Sequence, residues 1–153
     1  MAHLDDTSFA AHSLMPSEDV AVLRASQPGF LDAGYSEMQA RVEAKLRKRY
    51  AIPFDPDNVP EIVLGWEARL FTPRAYFKRG VNPSDAIFQA CVDDAKQAWD
   101  EVTEAANSET GLFDLPLRTG EDPTAISKGG PLGYSEASPY TWIDVQLEAV
   151  GDE

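Results

Sequence analysis

The stretch LDAGYSEMQARVEAKLRKRY, residues 31–50, decides the fold class. Leu31, Tyr35, Met38, Val42, Leu46 and Tyr50 recur at steps of four, three, four, four and four. That spacing is one apolar stripe of an amphipathic helix with a 3.6-residue period. Glu37, Arg41, Glu43, Lys45, Arg47, Lys48 and Arg49 fill the other faces. Pro53 and Pro56 end the helix, because proline lacks an N–H and drives the residue before it out of helical geometry.

Working outward, Pro16-Ser17-Glu18-Asp19 reads as a helix start. Ser17 is the expected cap, and the two acids suit the positive end of the helix dipole. Pro28-Gly29 closes this short helix. Met1 to Met15 shows no clear period and is expected to be a flexible or partner-ordered lead.

On the other side, Ile52 to Val59 is a proline-rich loop. Asn58 and Pro60 then read as cap and first turn of a further helix. Ile62, Val63, Trp66, Leu70 and Phe71 form its core face, and Pro73 either ends it near Thr72 or kinks it. Asn82-Pro83-Ser84-Asp85 starts a last helix of ~25 residues, roughly 37 Å long. Its apolar side carries Ile87, Cys91, Ala95, Ala98, Trp99, Val102 and Ala106. Trp66 and Trp99 both read as packing residues.

After Ser108 the helical pattern stops. Leu112 to Leu117 is apolar but carries Pro116. Arg118 to Pro139 has the Gly, Pro, Ser and Thr content of a linker. From Tyr140 to Glu148, Thr141, Ile143, Val145 and Leu147 alternate with Tyr140, Trp142, Asp144, Gln146 and Glu148, a strand pattern. A lone strand must pair its backbone groups. It pairs either with Leu112–Leu117 or with another chain by strand addition. Pro116 makes the internal partner poor, so a partner in trans is expected. The expected fold is mainly α: a small bundle of about four helices followed by a long extended C-terminal arm with one or two short β-strands. Residues 1–15 are the lead, 16–110 the bundle and 111–153 the arm.

Composition narrows the function. The 153 residues suit one domain. They carry 26 acidic and 13 basic side chains, net −13. Such a balance argues against gripping nucleic acid through its phosphates. Charge is polarised: residues 1–40 are net −5, residues 41–79 net +4 and residues 81–153 net −12. The single Cys91 permits no intrachain disulfide and reads as a small buried apolar residue. The N-terminus lacks a signal-peptide pattern, and no apolar run approaches the ~20 residues of a membrane span, so a cytoplasmic setting is expected.

The chemistry-bearing motifs are absent from the sequence. His3 and His12 both fall in the lead, away from Cys91. There is no zinc spacing, phosphate-binding glycine loop or nucleophile elbow. Asp93, Asp94, Asp100, Glu101 and Glu104 cluster on the last helix, where a solvated acidic face is a plainer reading than a metal site. Lys45, Arg47, Lys48 and Arg49 form a basic cluster that could touch nucleic acid, but helix-dipole complementation and an ion-pair surface, a candidate contact with another subunit, are the plainer reading. Trp142 has no obvious home core and is a candidate anchor in a partner's pocket.

The run Val42-Glu43-Ala44-Lys45-Leu46-Arg47-Lys48-Arg49-Tyr50-Ala51-Ile52-Pro53 resembles the head–tail connector (adaptor, or head-completion) proteins of tailed bacteriophages, including Mu-like prophages. In that family a helix ends in a similar RY-x-x-P turn. A helix with a Trp- or Ala-rich face follows, here Pro60–Phe77, then a last long helix, here Pro83–Asn107, then a Gly/Pro-containing tail from Gly111. The order of elements covers residues 16–118, and Lys45–Pro53 matches as a motif. The long acidic arm and Pro73 depart from the pattern.

The resemblance implies a structural virion protein, not an enzyme, with no cofactor and no catalytic residues. Its place would be the head–tail interface of the virion, after assembly in the host cytoplasm. The partners implied are the portal protein, neighbouring copies in a ring of typically twelve, and the next neck, stopper or tail protein. DNA would pass through without sequence-specific binding, and no membrane is involved. Asp93, Asp94, Asp100, Glu101 and Glu104 are then candidates to face the channel. Tyr134, Tyr140, Trp142, Ile143, Val145 and Leu147 are candidates to dock on the portal or a neighbouring subunit. Two other readings stay open: a cellular helical module binding a partner through its arm, and a small enzyme with carboxylate-bound metal. Ring formation on added portal separates the first from a connector. A metal-dependent thermal shift abolished by changing Asp93 and Asp94 to Asn would favour the second.

Overall fold

The apolar stripe of residues 31–46 is buried along its whole length in the computed structural model, which describes residues 2–27, 29–107 and 115–118. It forms α3 (Phe30–Leu46), preceded by α1 (Asp6–His12) and α2 (Ser17–Ser26) and followed by α4 (Glu61–Arg79) and α5 (Ala86–Asn107). The chain is mainly helical, a small bundle in which α4 packs against each of the other four helices.

Two apolar clusters fill the bundle. The first joins Phe9, Leu23, Leu31, Tyr35, Phe71 and Cys91, with Phe71 within 5.6 Å, ring to ring, of Phe9, Phe30 and Tyr35. The second joins Val42, Leu46, Tyr50, Trp66, Val102 and Leu115. Gly34 lets α3 and α4 approach closely: a Cβ there would stand 2.2 Å from Phe71 Cε2.

The stretch expected to be a flexible or partner-ordered lead is part of this core. Asp5 caps α1 through a reciprocal pair of bonds with Ser8, and Leu4, Phe9 and Met15 are buried. A helix of seven residues is too short to display a period, which is why the stripe was not readable.

Other boundaries shift for local reasons. Pro16 occupies the cap position of α2 with no side-chain cap bond, so Ser17 is the first helical residue. Asn58 is likewise displaced, Pro60 being the cap of α4. Asn82 Oδ1 accepts from Ser84 N–H (3.0 Å) and Oγ–H (2.9 Å). This side-chain turn satisfies the donors itself, and α5 begins at Ala86. Pro73 does not end α4, which runs on to Arg79. There Gly80, at φ 92°, and Val81 bond back to Phe77 and Tyr76 and close the helix.

Past α3 the chain turns at Arg47–Arg49, and Tyr50 pairs antiparallel with Leu117. Ala51 N–H donates to Pro116 O (2.8 Å) and Arg118 N–H to Arg49 O (3.0 Å). Pro116 serves here through its carbonyl, which proline retains. The packed unit therefore includes residues on both sides of the 16–110 span expected for it. The strand expected over Thr141–Leu147 lies outside the described residues.

Candidate interaction surface

The acids of α5 divide into two groups by what they touch. Asp94 accepts from Arg69 Nε (2.8 Å), and Glu101 accepts from Arg69 Nη1 (2.8 Å) and from the Trp66 indole N–H (2.9 Å). Burial pushes the Glu101 carboxyl up, but the bonds from Arg69, Trp66 and Gln97 together outweigh it and hold the group below the ordinary range. These two carboxylates tie α5 to α4. Asp93, Asp100 and Glu104 are exposed. Their spacing of seven and four residues sets them on one stripe of the helix. Asp93 also accepts from Lys96 Nζ (2.9 Å), one turn away. Among the described residues no group of three or more His, Cys, Asp or Glu is arranged to hold a metal ion.

The basic cluster also divides. Arg47 and Lys48 are exposed, and Lys45 lies 5.7 Å from the Trp99 ring centroid. Arg49 is only 5% exposed, because the turn after Leu46 redirects it into the protomer. It is thereby removed from the expected inter-subunit surface. Arg41, one turn before Lys45 on α3, stacks over Trp99 at 4.4 Å. Trp99 is half-buried, with both cations near its ring. Beside it a groove of 330 Å³ runs over Leu70, Pro73 and Val92, with Asp100 at its rim.

Cys91 is buried, and burial, with Asp94 nearby, pushes its thiol up, which keeps the sulfur protonated. Among the described residues no helix is long and apolar enough to cross a membrane. Tyr134, Tyr140, Trp142, Ile143, Val145 and Leu147 all lie outside the described residues.

One polar cluster was missed from the sequence. His3 Nδ1 lies 2.9 Å from Glu67 Oε1, while His3 Nε2 faces Gln39 Nε2 (3.0 Å) and Glu43 Oε1 (3.4 Å). A proton on Nδ1 satisfies this set, with Nδ1–H donating to Glu67 and Nε2 accepting from Gln39. Burial pushes the Glu67 carboxyl above its ordinary value, against the pull of His3. Its Oε2 accepts no hydrogen bond among the described residues. The only available signal was Asp5 three residues before Ser8 ahead of Phe9, a capping box that marks a helix start. It would have placed His3 beside a folded element.

The chain matches no protein-family model, no curated protein and no solved structure among those compared.

Proposed function

We propose that this chain is a structural virion protein, a subunit of an oligomeric ring that joins the capsid portal to the tail or neck and extends the DNA channel. The observation that supports it best is the position of the Arg49-Tyr50-Ala51-Ile52-Pro53 turn. Tyr50 is 1% exposed, donates its hydroxyl to Ala105 O at 2.9 Å and pairs with Leu117. The motif that carries the resemblance thus holds Pro116, Leu117 and Arg118, within the sequence span of the C-terminal arm. A packed bundle that anchors the base of the 111–153 segment suits a subunit held to its neighbours and to the portal.

The charge pattern fits the same role. Exposed Asp93, Asp100 and Glu104 would line the channel and repel DNA phosphates over the ~8 Å of screening at physiological salt. Asp94 and Glu101 are committed to Arg69 and are left out of that role. Residues 134–147 would dock on the portal or a neighbouring subunit, with Trp142 as the anchor. Labelling purified particles with antibody against the chain tests the placement. Label confined to the head–tail junction is the expected result, and label spread over the capsid or absent from particles contradicts it.

A further inference from the structure

We infer that the acid-rich segment 140–153 of this chain docks on the chain's own groove between α3 and α5, at the cations that flank Trp99. The first observation is a pair of unsatisfied charges. Arg24, Arg69, Arg74, Arg79 and Lys96 each hold a carboxylate. Arg41 and Lys45 hold none among the described residues, although the chain has twice as many acids as bases. Both instead lie over the Trp99 ring. The adjoining groove has an apolar floor in Leu70, Pro73 and Val92. A ligand that suits it carries carboxylates for Arg41 and Lys45 and an apolar side for Leu70, Pro73 and Val92.

The segment Tyr140–Glu153 has that chemistry. It holds Asp144, Glu148, Asp152 and Glu153 and no basic residue, together with Tyr140, Trp142, Ile143, Val145 and Leu147. Extended, Asp144 and Glu148 stand about 13 Å apart. Arg41 and Lys45 stand about 6 Å apart along α3, within the spread of those two carboxylates.

Reach favours the chain's own segment. Arg118 N–H is bonded to Arg49 O, so the last described residue stands just beyond the end of α3. Arg41 is five residues back from Leu46, the end of α3, about 8 Å along the helix. The 22 residues from Arg118 to Tyr140 span up to about 70 Å. An intramolecular ligand of such reach acts at an effective concentration near the millimolar range, above that of a second copy in dilute solution. Docked in this way, the segment is withheld from partners until another surface covers the α3 cations. The inference does not depend on the virion role.

The full chain contains three tryptophans, so its indole N–H resonances are a direct probe. Trp66, buried and bonded to Glu101, is the internal reference. The test compares the chain with a variant carrying Asp144→Asn, Glu148→Gln, Asp152→Asn and Glu153→Gln. The Trp99 and Trp142 resonances should both move while Trp66 stays. About 0.5 M sodium chloride, which shortens the screening length to about 4 Å, should move them the same way in the unaltered chain. Arg41→Glu with Lys45→Glu should displace the Trp142 resonance alike. A Trp99 resonance that ignores both the neutralised segment and salt overturns the inference. So does a Trp99 shift that grows over a roughly hundredfold rise in protein concentration, which would make a second copy the occupant.

Discussion

His3 Nδ1 and Glu67 Oε1, 64 residues apart in sequence, meet at 2.9 Å where both side chains are at most 1% exposed. The contact fastens the segment before α1 to α4 and gives Glu67 its one hydrogen bond among the described residues. Removing the imidazole leaves a buried carboxylate with neither oxygen satisfied. His3→Ala should therefore cost about 3 kcal/mol in urea unfolding. In a double-mutant cycle with Glu67→Gln, the two losses should fall short of additivity by at least about 1 kcal/mol. Strict additivity would mean the two groups do not interact.

The same site sets a pH dependence. The folded-state pKa of Glu67 is raised, so its contribution to stability is complete below the ordinary glutamate value of 4.5 and is lost as pH rises through the folded value. Relative to the unaltered chain, Glu67→Gln should gain stability as pH rises above 4.5, by at most about 1.4 kcal/mol per unit. Asp6 has the opposite sign. The hydrogen bond from Arg24 holds its carboxyl below the ordinary 3.8, so its contribution is present above that value and lost as pH falls through the folded one. The cost of Asp6→Asn should shrink below pH 3.8. Urea midpoints from pH 3 to 8 for the three proteins check both signs.

Two glycines on helices should respond oppositely to alanine. At Gly34 the new methyl would stand 2.2 Å from the Phe71 ring, in the middle of the first apolar cluster. Overpacking there should cost about 2 kcal/mol and lower the thermal midpoint. At Gly65 a Cβ meets nothing within 4 Å. Gly65→Ala should stabilise α4 by about 0.5–1 kcal/mol through helix propensity.

Arginines on α4 should differ by burial. Arg69, with a side chain 20% exposed, joins both Asp94 and Glu101. Arg69→Ala should cost about 2 kcal/mol, because it also strips a partner from Glu101, which stays bonded to Trp66. Arg74 pairs with Glu37 at an exposed site. Arg74→Ala should cost less than about 0.5 kcal/mol, and that small effect should vanish in high salt. Thermal melts at low and high ionic strength distinguish the two.

The parts of the fold that were legible in the sequence are those with several helical turns. The stripe from Leu31 to Leu46 declared α3 by its spacing, and the acids at Glu18 and Asp19 marked the start of α2. Tyr50 kept the period but not the helix, because a residue at the right spacing can be buried by a turn as well as by a further helical turn. Pro73 misled for a related reason: the loss of one backbone bond is tolerated inside a helix held by contacts with four others. At the surface, residue type alone showed where charge is dense, but not which charges are spent. Asp94, Glu101 and Arg49 read the same as their neighbours in the sequence, and tertiary partners or burial separate them. His3 was invisible because its partners, Gln39, Glu43 and Glu67, come from two distant helices.

The connector reading stands or falls on association with a portal through the arm. Native mass spectrometry of the portal ring from the same genome, mixed with the full chain, measures it directly. The predicted result is a complex holding one complete ring of this chain, about twelve copies, that is lost when the chain ends after Arg118 while the truncated chain stays helical. A portal mass unchanged by the full chain, or an equal complement bound by the truncated one, would contradict the account.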